Sequence, residues 1–416
     1  MNAKSFVKKY TMVIALVAVF ILFGLLTQGR LFYPQNMSNL LLQNSYVLVL
    51  ACGMLLCILT GGNIDLSVGS TVCLVGALAA QLMDKLGMNA ILVIFLGLVV
   101  GAIIGAWQGF WIGYIHIPPF ICTLSGMFLF RGLGRVILKS KTVPVKDALF
   151  LKIFASYVQI PGLDNPKEKW LPSALIVGVV IALFLVITVF TNRASRAKKG
   201  YAVGPLAPEL AKKAIIAALV VYYSYKLACY KGIPVMLLWV LAVVFLYSFI
   251  TSKTALGRYF YAVGGNEKAT KLSGIDTRRV YFLAYLSMSF LAGLSGLLMA
   301  ARIASVNGDT GNAFEMDAIG SCFIGGASAY GGSGTVAGIC IGAIFLGVIN
   351  QGMSIIGLDN NWQYIVRARF FWWPSSSTLS PTTRPAKADK KDRHPPHNGE
   401  GVRRTGQKCE QQRNEI

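Results

Sequence analysis

The chain is 416 residues long, carries a formal net charge of +22 and is 55% hydrophobic. Only 13% of its residues are charged, whereas charged residues make up about a quarter of an ordinary soluble domain, so the composition excludes that class and predicts a chain that lies in a bilayer. The basic residues are spread over loops and the tail rather than along one helix face, which argues for contacts with lipid headgroups and against binding of nucleic acid.

The first apolar run, residues 10–26, follows Lys4, Lys8 and Lys9. It is long enough to cross a hydrocarbon core of about 30 Å. We expect a retained first helix rather than a cleaved signal peptide, because no small-residue cleavage site follows it. The positive flank predicts a cytoplasmic N-terminus.

A polar break lies between two long apolar runs at residues 59–70 and contains Gly61, Gly62 and one acid, Asp65. The glycines allow the backbone to unwind, which is tolerated at membrane depth only where protein or water covers it. A carboxylate there costs about 2.5–3.5 kcal/mol on insertion scales, so Asp65 is predicted to face the protein interior or a wet pathway. It could instead cap a helix that starts at Leu66. The two roles are compatible.

Residues 89–111 form a glycine-rich span in which Gly97, Gly101 and Gly105 recur at every fourth position. This spacing predicts a face that another helix approaches closely. The next apolar run, residues 120–130, is too short to cross the membrane straight. We expect it to be re-entrant or to be continued by residues 133–138.

A polar connection follows at residues 139–172, and counting spans places it outside the cell. Residues 174–190 then span, and residues 214–229 and 235–250 are predicted to form a hairpin of spans. A cluster of basic residues between them argues for a cytoplasmic loop. The cluster comprises Arg193, Arg196, Lys198, Lys199, Lys212 and Lys213.

The basic segment 251–279 is predicted to be a second cytoplasmic loop. Gly264 and Gly265 indicate a turn, and Asn266 is suited to be the N-cap of a short helix that ends at residue 272, with Glu267 in its first turn. A short helix of this kind has the form of a coupling element. The alternative is a solvated loop that binds lipid headgroups.

A second glycine-rich break, residues 331–334, follows a run at residues 319–329 that is too short to span. Paired broken segments in the two halves of a transporter are the best sequence pointer to its pathway. A final predicted span, residues 335–349, ends next to Gln351.

No catalytic site can be assembled from the sequence. It has no G-x-x-x-x-G-K-[ST] phosphate loop, no H-E-x-x-H motif and no G-x-S-x-G motif, and His116 is alone in the apolar part of the chain. We therefore predict no metal site, no cofactor and no enzyme activity. Any ATP hydrolysis that drives the protein must belong to another chain.

Three stretches carry a resemblance to a known family. Residues 59–70 read LTGGNIDLSVGS, residues 254–275 contain TALGR, YAVGGNE and LSGI, and residues 324–335 contain IGGAS and GGSGT. Together they resemble the permease subunits of bacterial sugar importers of the ATP-binding-cassette class, the ribose, galactose and xylose type, and they fit the xylose or multiple-sugar branch best. The likeness covers most of the chain up to about Val366.

The resemblance implies an all-α, polytopic inner-membrane protein of about ten or eleven transmembrane or re-entrant helices. It also implies a homodimer with two ATPase subunits that bind the ATP, and a periplasmic or lipid-anchored sugar-binding protein. The loop at residues 251–279 would dock on the ATPase, with Gly264, Gly265, Asn266 and Glu267 as the coupling residues. The implied substrate is a pentose or hexose, with xylose favoured.

Asn63, Asp65 and Gln351 are the candidate residues of the substrate pathway, because neutral sugars need hydrogen-bonding groups and these lie next to the backbone breaks. The rival is an ion-coupled secondary transporter of a small polar solute, which needs membrane-embedded acids or histidines as proton relays. In the sequence only Asp65 qualifies, and the Gly264 to Ile275 element would have no purpose. An intramembrane enzyme is disfavoured by the missing catalytic motifs.

Residues 1–366 are assigned to the permease domain and residues 367–416 to a polar tail. The tail holds eleven Lys and Arg and five Asp and Glu, a composition that predicts disorder. Related permeases continue after Val366 with a final apolar span. The genetic code offers an explanation for this difference. If the gene is read in a shifted frame, in which each codon takes the third base of one printed codon and the first two of the next, residues 370–377 become apolar, provided that the serines use TCN codons. This pattern predicts a frameshift.

We predict that resequencing the gene will reveal a frame change shortly after the codon of Val366. The corrected frame should encode a last apolar helix, which a packed bundle needs to cover its neighbours. Verified DNA with an intact frame through Ser377 would refute the frameshift. The chain as printed lacks this helix, so it should leave apolar surface of its neighbours exposed and assemble poorly. Normal transport by this chain would refute such a loss of function.

Overall fold

The computed structural model describes residues 3–160, 164, 170–201, 205–359, 362–363 and 365–366, with side chains from residue 11 onwards. All of them belong to one compact unit. The tail at residues 367–416, to which the predictions of disorder and a frameshift apply, lies outside the described residues.

The described part of the chain is helical, with one short pair of strands. The helices are α1 (Ala3–Leu26), α2 (Pro34–Leu59), α3 (Val68–Leu86), α4 (Ala90–Gly113), α5 (Pro119–Leu138), α6 (Ala148–Phe154), α7 (Pro172–Lys198), α8 (Leu206–Ala228), α9 (Val235–Lys253), α10 (Ala255–Gly265), α11 (Glu267–Leu272), α12 (Thr277–Ile303), α13 (Phe314–Ile324) and α14 (Val336–Ile356). The strands β1 (Val143–Pro144) and β2 (Ser305–Val306) pair antiparallel, with Val143 opposite Val306.

Within the described residues, seven helices are long and apolar enough to cross a membrane: α2, α4, α5, α7, α9, α12 and α14. The apolar part of α1, Thr11–Leu26, is shorter. Helices α1, α3, α8 and α13 pack against these seven. The prediction of an all-α polytopic protein is confirmed.

Helix α12 forms the centre of the bundle, where it contacts α2, α3 and α4. The contact with α4 confirms the predicted glycine face. A Cβ atom added to Gly101 would lie 2.8 Å from the Ser289 carbonyl oxygen, and one added to Gly105 would lie 2.7 Å from the Tyr285 carbonyl oxygen. Only hydrogen fits at these positions, so the two backbones approach directly.

The structure decides two local predictions. The run at residues 120–130 belongs to the continuous helix α5, so the alternative of a span continued by residues 133–138 is confirmed and the re-entrant alternative is wrong. Pro119 is the first residue of this helix, a position where its missing N–H costs nothing. Helix α8 packs along α7 rather than along α9, which instead contacts α2. The predicted hairpin partner of α8 is therefore wrong.

Candidate functional site

The first break connects α2 to α3 through residues 60–67. Gly61 and Gly62 have φ angles of 115° and 76°, which side chains of L-residues rarely adopt. Asp65 is fully buried, and its Oδ1 atom accepts hydrogen bonds from the backbone N–H of Ser67 (2.8 Å) and from the Ser67 hydroxyl (2.7 Å). Asp65 thus closes the turn before α3. The helix starts at Val68 rather than at the predicted Leu66.

A buried chain of polar side chains extends from Asp65 into the bundle. The Gln108 amide on α4 donates to the Ser67 hydroxyl (2.7 Å) and accepts from the Ser289 hydroxyl on α12 (3.3 Å). The second carboxylate oxygen of Asp65, Oδ2, is buried and has no hydrogen-bond partner among the described residues. Ionisable groups at membrane depth are costly and usually mark a pathway, so this oxygen is a candidate contact for a polar solute.

In the structure the second break extends over residues 325–335, between α13 and α14, and it lies directly against the first break. Gly331 and Gly332 have φ angles of 85° and 68°, and the Gly332 N–H donates to the Leu59 carbonyl at the end of α2 (3.1 Å). A Cβ atom on Gly62 would overlap the Ala329 carbonyl oxygen. The two glycine-rich interruptions that the sequence predicted separately are therefore in backbone contact.

The end of α10 touches both breaks. Gly264 and Gly265 are the last residues of this helix, so the predicted turn is wrong there. A Cβ atom on Gly264 would overlap the Leu59 carbonyl oxygen and would lie 2.5 Å from the Gly332 nitrogen. Gly264 reflects this close approach rather than a turn, whereas a Cβ atom on Gly265 would meet nothing within 4 Å. We call the contact between Leu59, Gly264 and Gly332 the glycine junction.

A side chain adds a second link between α10 and the breaks. The Tyr261 hydroxyl donates to the Gly334 carbonyl (2.8 Å). Burial raises the pKa of the Tyr261 hydroxyl above its ordinary value, which keeps it protonated as a donor.

The short helix predicted after the glycine pair is present as α11. Asn266 is its N-cap, and its Oδ1 atom accepts from the Ala269 N–H (3.0 Å). Glu267 stands in the first turn and accepts from the Tyr281 hydroxyl of α12 (3.0 Å). Helix α11 is thus fixed at its start to α10 and to α12.

The candidate pathway residues occupy two places. Asn63 is half-buried next to Asp65, and its amide donates to the Thr60 carbonyl (3.1 Å). Gln351 is buried in α14, about 22 Å along the helix from its first residue, Val336. Its Oε1 atom has no partner among the described residues. The structure brings Asn63 and Asp65 together and leaves Gln351 apart.

Several polar residues of this region were not predicted as site residues. Gln108 and Ser289 were missed, although Gln108 is the single amide in the otherwise apolar α4. Glu315 and Asp317 lie buried at the start of α13 and were also not predicted as site residues. Burial raises the pKa of the Glu315 carboxyl above its ordinary value, although a backbone hydrogen bond and the charge of Arg131 oppose the rise.

Comparison with known proteins identifies the family of this chain. Residues 36–371 match the family described as "Branched-chain amino acid transport system / permease component". The chain belongs to this permease family. The matched range includes both breaks and the glycine junction. Together with the seven apolar helices, membership in this family identifies the permease as a multi-pass protein of the inner membrane.

Curated relatives of the permease are transport permeases of similar length. It is 35% identical to the xylose transport system permease protein of Haemophilus influenzae over 86% of this chain and 92% of the relative. It is 32% identical to the protein of the same description from Escherichia coli K12, over 89% of this chain and 92% of the relative. It is 30% identical to the ribose import permease protein of Escherichia coli K12, over 85% and 89%. No solved structure matches the chain.

We predict that two replacements of Asp65 distinguish the structural role of its side chain from the role of its charge. Asp65→Ala leaves the buried donors of Ser67 without an acceptor, which should destabilise the permease by about 1–3 kcal/mol and abolish or strongly reduce uptake. Asp65→Asn keeps an acceptor at Oδ1 and should unfold near the wild-type temperature while uptake falls.

Thermal unfolding in detergent and solute uptake into vesicles measure the two effects. The control is Asp309→Ala, which removes an exposed acid paired with Arg135. Wild-type uptake by Asp65→Ala would show that the carboxylate has no role in transport.

Proposed function

We propose that the chain is the transmembrane permease subunit of an ATP-binding-cassette importer, which moves a monosaccharide across the bacterial cytoplasmic membrane. Xylose is the favoured substrate, because two of the relatives described above are named xylose permeases and both are more similar to this chain than the ribose permease is. The observation that carries the proposal is the glycine junction, since it connects a short exposed helix pair to two breaks inside the bundle.

The partners follow from this function. The chain acts as a homodimer with two ATPase subunits and receives sugar from a periplasmic or lipid-anchored binding protein. ATP is bound and hydrolysed by the partner, which agrees with the missing phosphate loop in this sequence. We further propose that transport needs no catalytic residue, metal or cofactor in the permease itself, and that surrounding lipids contact its apolar helices.

Residues 251–279 transmit the motion of the ATPase. Asn266 and Glu267 fix the start of α11, and Gly264 and Gly265 end the helix that carries it. A displacement of α10 cannot be absorbed by side chains, because main-chain atoms meet directly at the glycine junction. Docking or closure of the ATPase therefore moves both breaks together, as a rigid lever.

The sugar is recognised by hydrogen-bonding groups near the first break and further along α14. The Asn63 amide and the unpaired Oδ2 atom of Asp65 supply such groups at one end of the pathway. Gln351 supplies one at the other. The pathway then extends about 20 Å along the bundle, a distance that α14 covers in four turns.

The permease domain comprises residues 1–366, and residues 367–416 are a separate tail. The end of the family match at residue 371 supports a boundary near Val366. A frameshift after that residue remains our explanation for the composition of the tail.

An ion-coupled secondary transporter is the second candidate, and one observation favours it. Three carboxylates, those of Asp65, Glu315 and Asp317, are buried in the bundle. Buried acids are the usual proton relays of such transporters. The coupling loop has no role in that mechanism, so we place this function second.

Uptake of labelled xylose into proteoliposomes tests the proposal, with the permease produced from the resequenced gene. We expect uptake only when the ATPase subunit, the sugar-binding protein and ATP are all present, with no stimulation by a pH gradient. The matched control contains the same permease without the ATPase. Persistent uptake in that control, or uptake driven by the pH gradient alone, would instead establish the secondary transporter.

A further inference from the structure

Two apolar side chains are exposed to an unusual degree. Leu272 at the end of α11 is 90% exposed and Tyr330 in the second break is 86% exposed, more than any other large hydrophobic side chain in the described part of the chain. Both lie outside the helices that cross the membrane. By contrast, Phe245, which is 70% exposed, is on the spanning helix α9, where lipid covers it.

The loop that carries Tyr330 is held in a fixed shape. The Ser328 N–H donates to the Ser333 carbonyl (2.9 Å), and the Gly331 N–H donates to the Ser328 carbonyl (3.1 Å). The Tyr330 N–H donates to the Ser328 hydroxyl (3.1 Å). A tyrosine presented on a preorganised loop loses little conformational entropy on binding, which makes it a strong contact residue in an interface.

The same loop is continuous with the coupling helices. A Cβ atom on Gly332 would lie 2.9 Å from the Gly265 nitrogen, and the Tyr261 hydroxyl bonds the Gly334 carbonyl. Tyr330 therefore lies on a loop that touches α10, the helix directly before α11. A protein docked on the pair α10 and α11 would meet this loop at the end of α10.

The charge of this surface indicates what covers it. Lys268 and Lys271 are exposed on α11, and Glu267 faces the Tyr281 hydroxyl. A partner that fits offers apolar pockets with acidic residues around them. Anionic lipid headgroups would satisfy the lysines, but Tyr330 stands on a loop held in one shape by its own hydrogen bonds, which is typical of a protein interface, so we favour a protein.

We propose that residues 328–333 are a second docking element for the ATPase subunit, with Tyr330 as the side chain that enters a pocket of the partner next to the site of Leu272. This inference rests on the proposed function, which supplies the ATPase. It adds a direct contact between the partner and the second break, because Gly332 in the same loop is bonded to Leu59. The ATPase then holds the glycine junction from two sides.

The affinity of the purified permease for its cognate ATPase subunit tests this proposal. We expect Tyr330→Ala to weaken binding by about tenfold or more, as truncation of a central aromatic residue does in other interfaces. Tyr330→Phe, which keeps the ring, should bind like the wild type, and so should the control Phe245→Ala. Wild-type affinity of a folded Tyr330→Ala variant would overturn the proposal. A wild-type permease that binds no ATPase would instead refute the proposed function itself.

Labelling provides a second measurement that does not depend on the alanine variant. In Tyr330→Cys the thiol should react with a maleimide in phosphatidylglycerol vesicles, and added ATPase should protect it. Lys199→Cys, in the other basic loop, should react equally with and without the ATPase. Protection of the Tyr330→Cys thiol by the vesicles alone would assign the loop to the lipid surface and overturn the proposal, as would labelling that the ATPase leaves unchanged.

Discussion

The arrangement of the candidate site depends on one main-chain contact, in which Gly264 of α10 lies against the Leu59 carbonyl and the Gly332 nitrogen. A contact between main-chain atoms is stiff, because no side chain can change its rotamer to accommodate a displacement. It also joins elements from three distant parts of the sequence, since the end of α2, the end of α10 and the middle of the second break meet there. The breaks are therefore mechanically continuous with the exposed pair α10 and α11.

The polar groups behind the junction explain how breaks can exist inside an apolar bundle. Unpaired buried polar groups cost about 1–3 kcal/mol each, so a break persists only where side chains satisfy it. Asp65 satisfies the turn before α3, and Gln108 links that turn to α4 and α12. The atoms left without a described partner, Oδ2 of Asp65 and Oε1 of Gln351, are those that a passing polar solute could use.

Much of this fold could be predicted from the sequence, because spans and breaks leave local signals. Apolar length identified most of the spanning helices, glycines at every fourth position predicted that another helix approaches α4 closely, and Asn266 predicted the start of α11. The role of Gly264 and Gly265 could not be predicted from their neighbours in the sequence. A pair of glycines suits either a turn or a close approach of two backbones, and only the position of Leu59 decides between the two. Gln108 and Ser289 were missed for the same reason, since their partners are 41 and 181 residues away.

The most direct test of the account compares Gly264→Ala with Gly265→Ala in the assembled transporter, by the amount of sugar moved per ATP hydrolysed. An added Cβ atom at Gly264 overlaps main-chain atoms of the junction, whereas one at Gly265 meets nothing within 4 Å. We predict that Gly264→Ala hydrolyses ATP with little transport and that Gly265→Ala keeps the wild-type ratio. Equal, wild-type ratios in both variants would contradict the claim that the glycine junction couples the ATPase to the breaks.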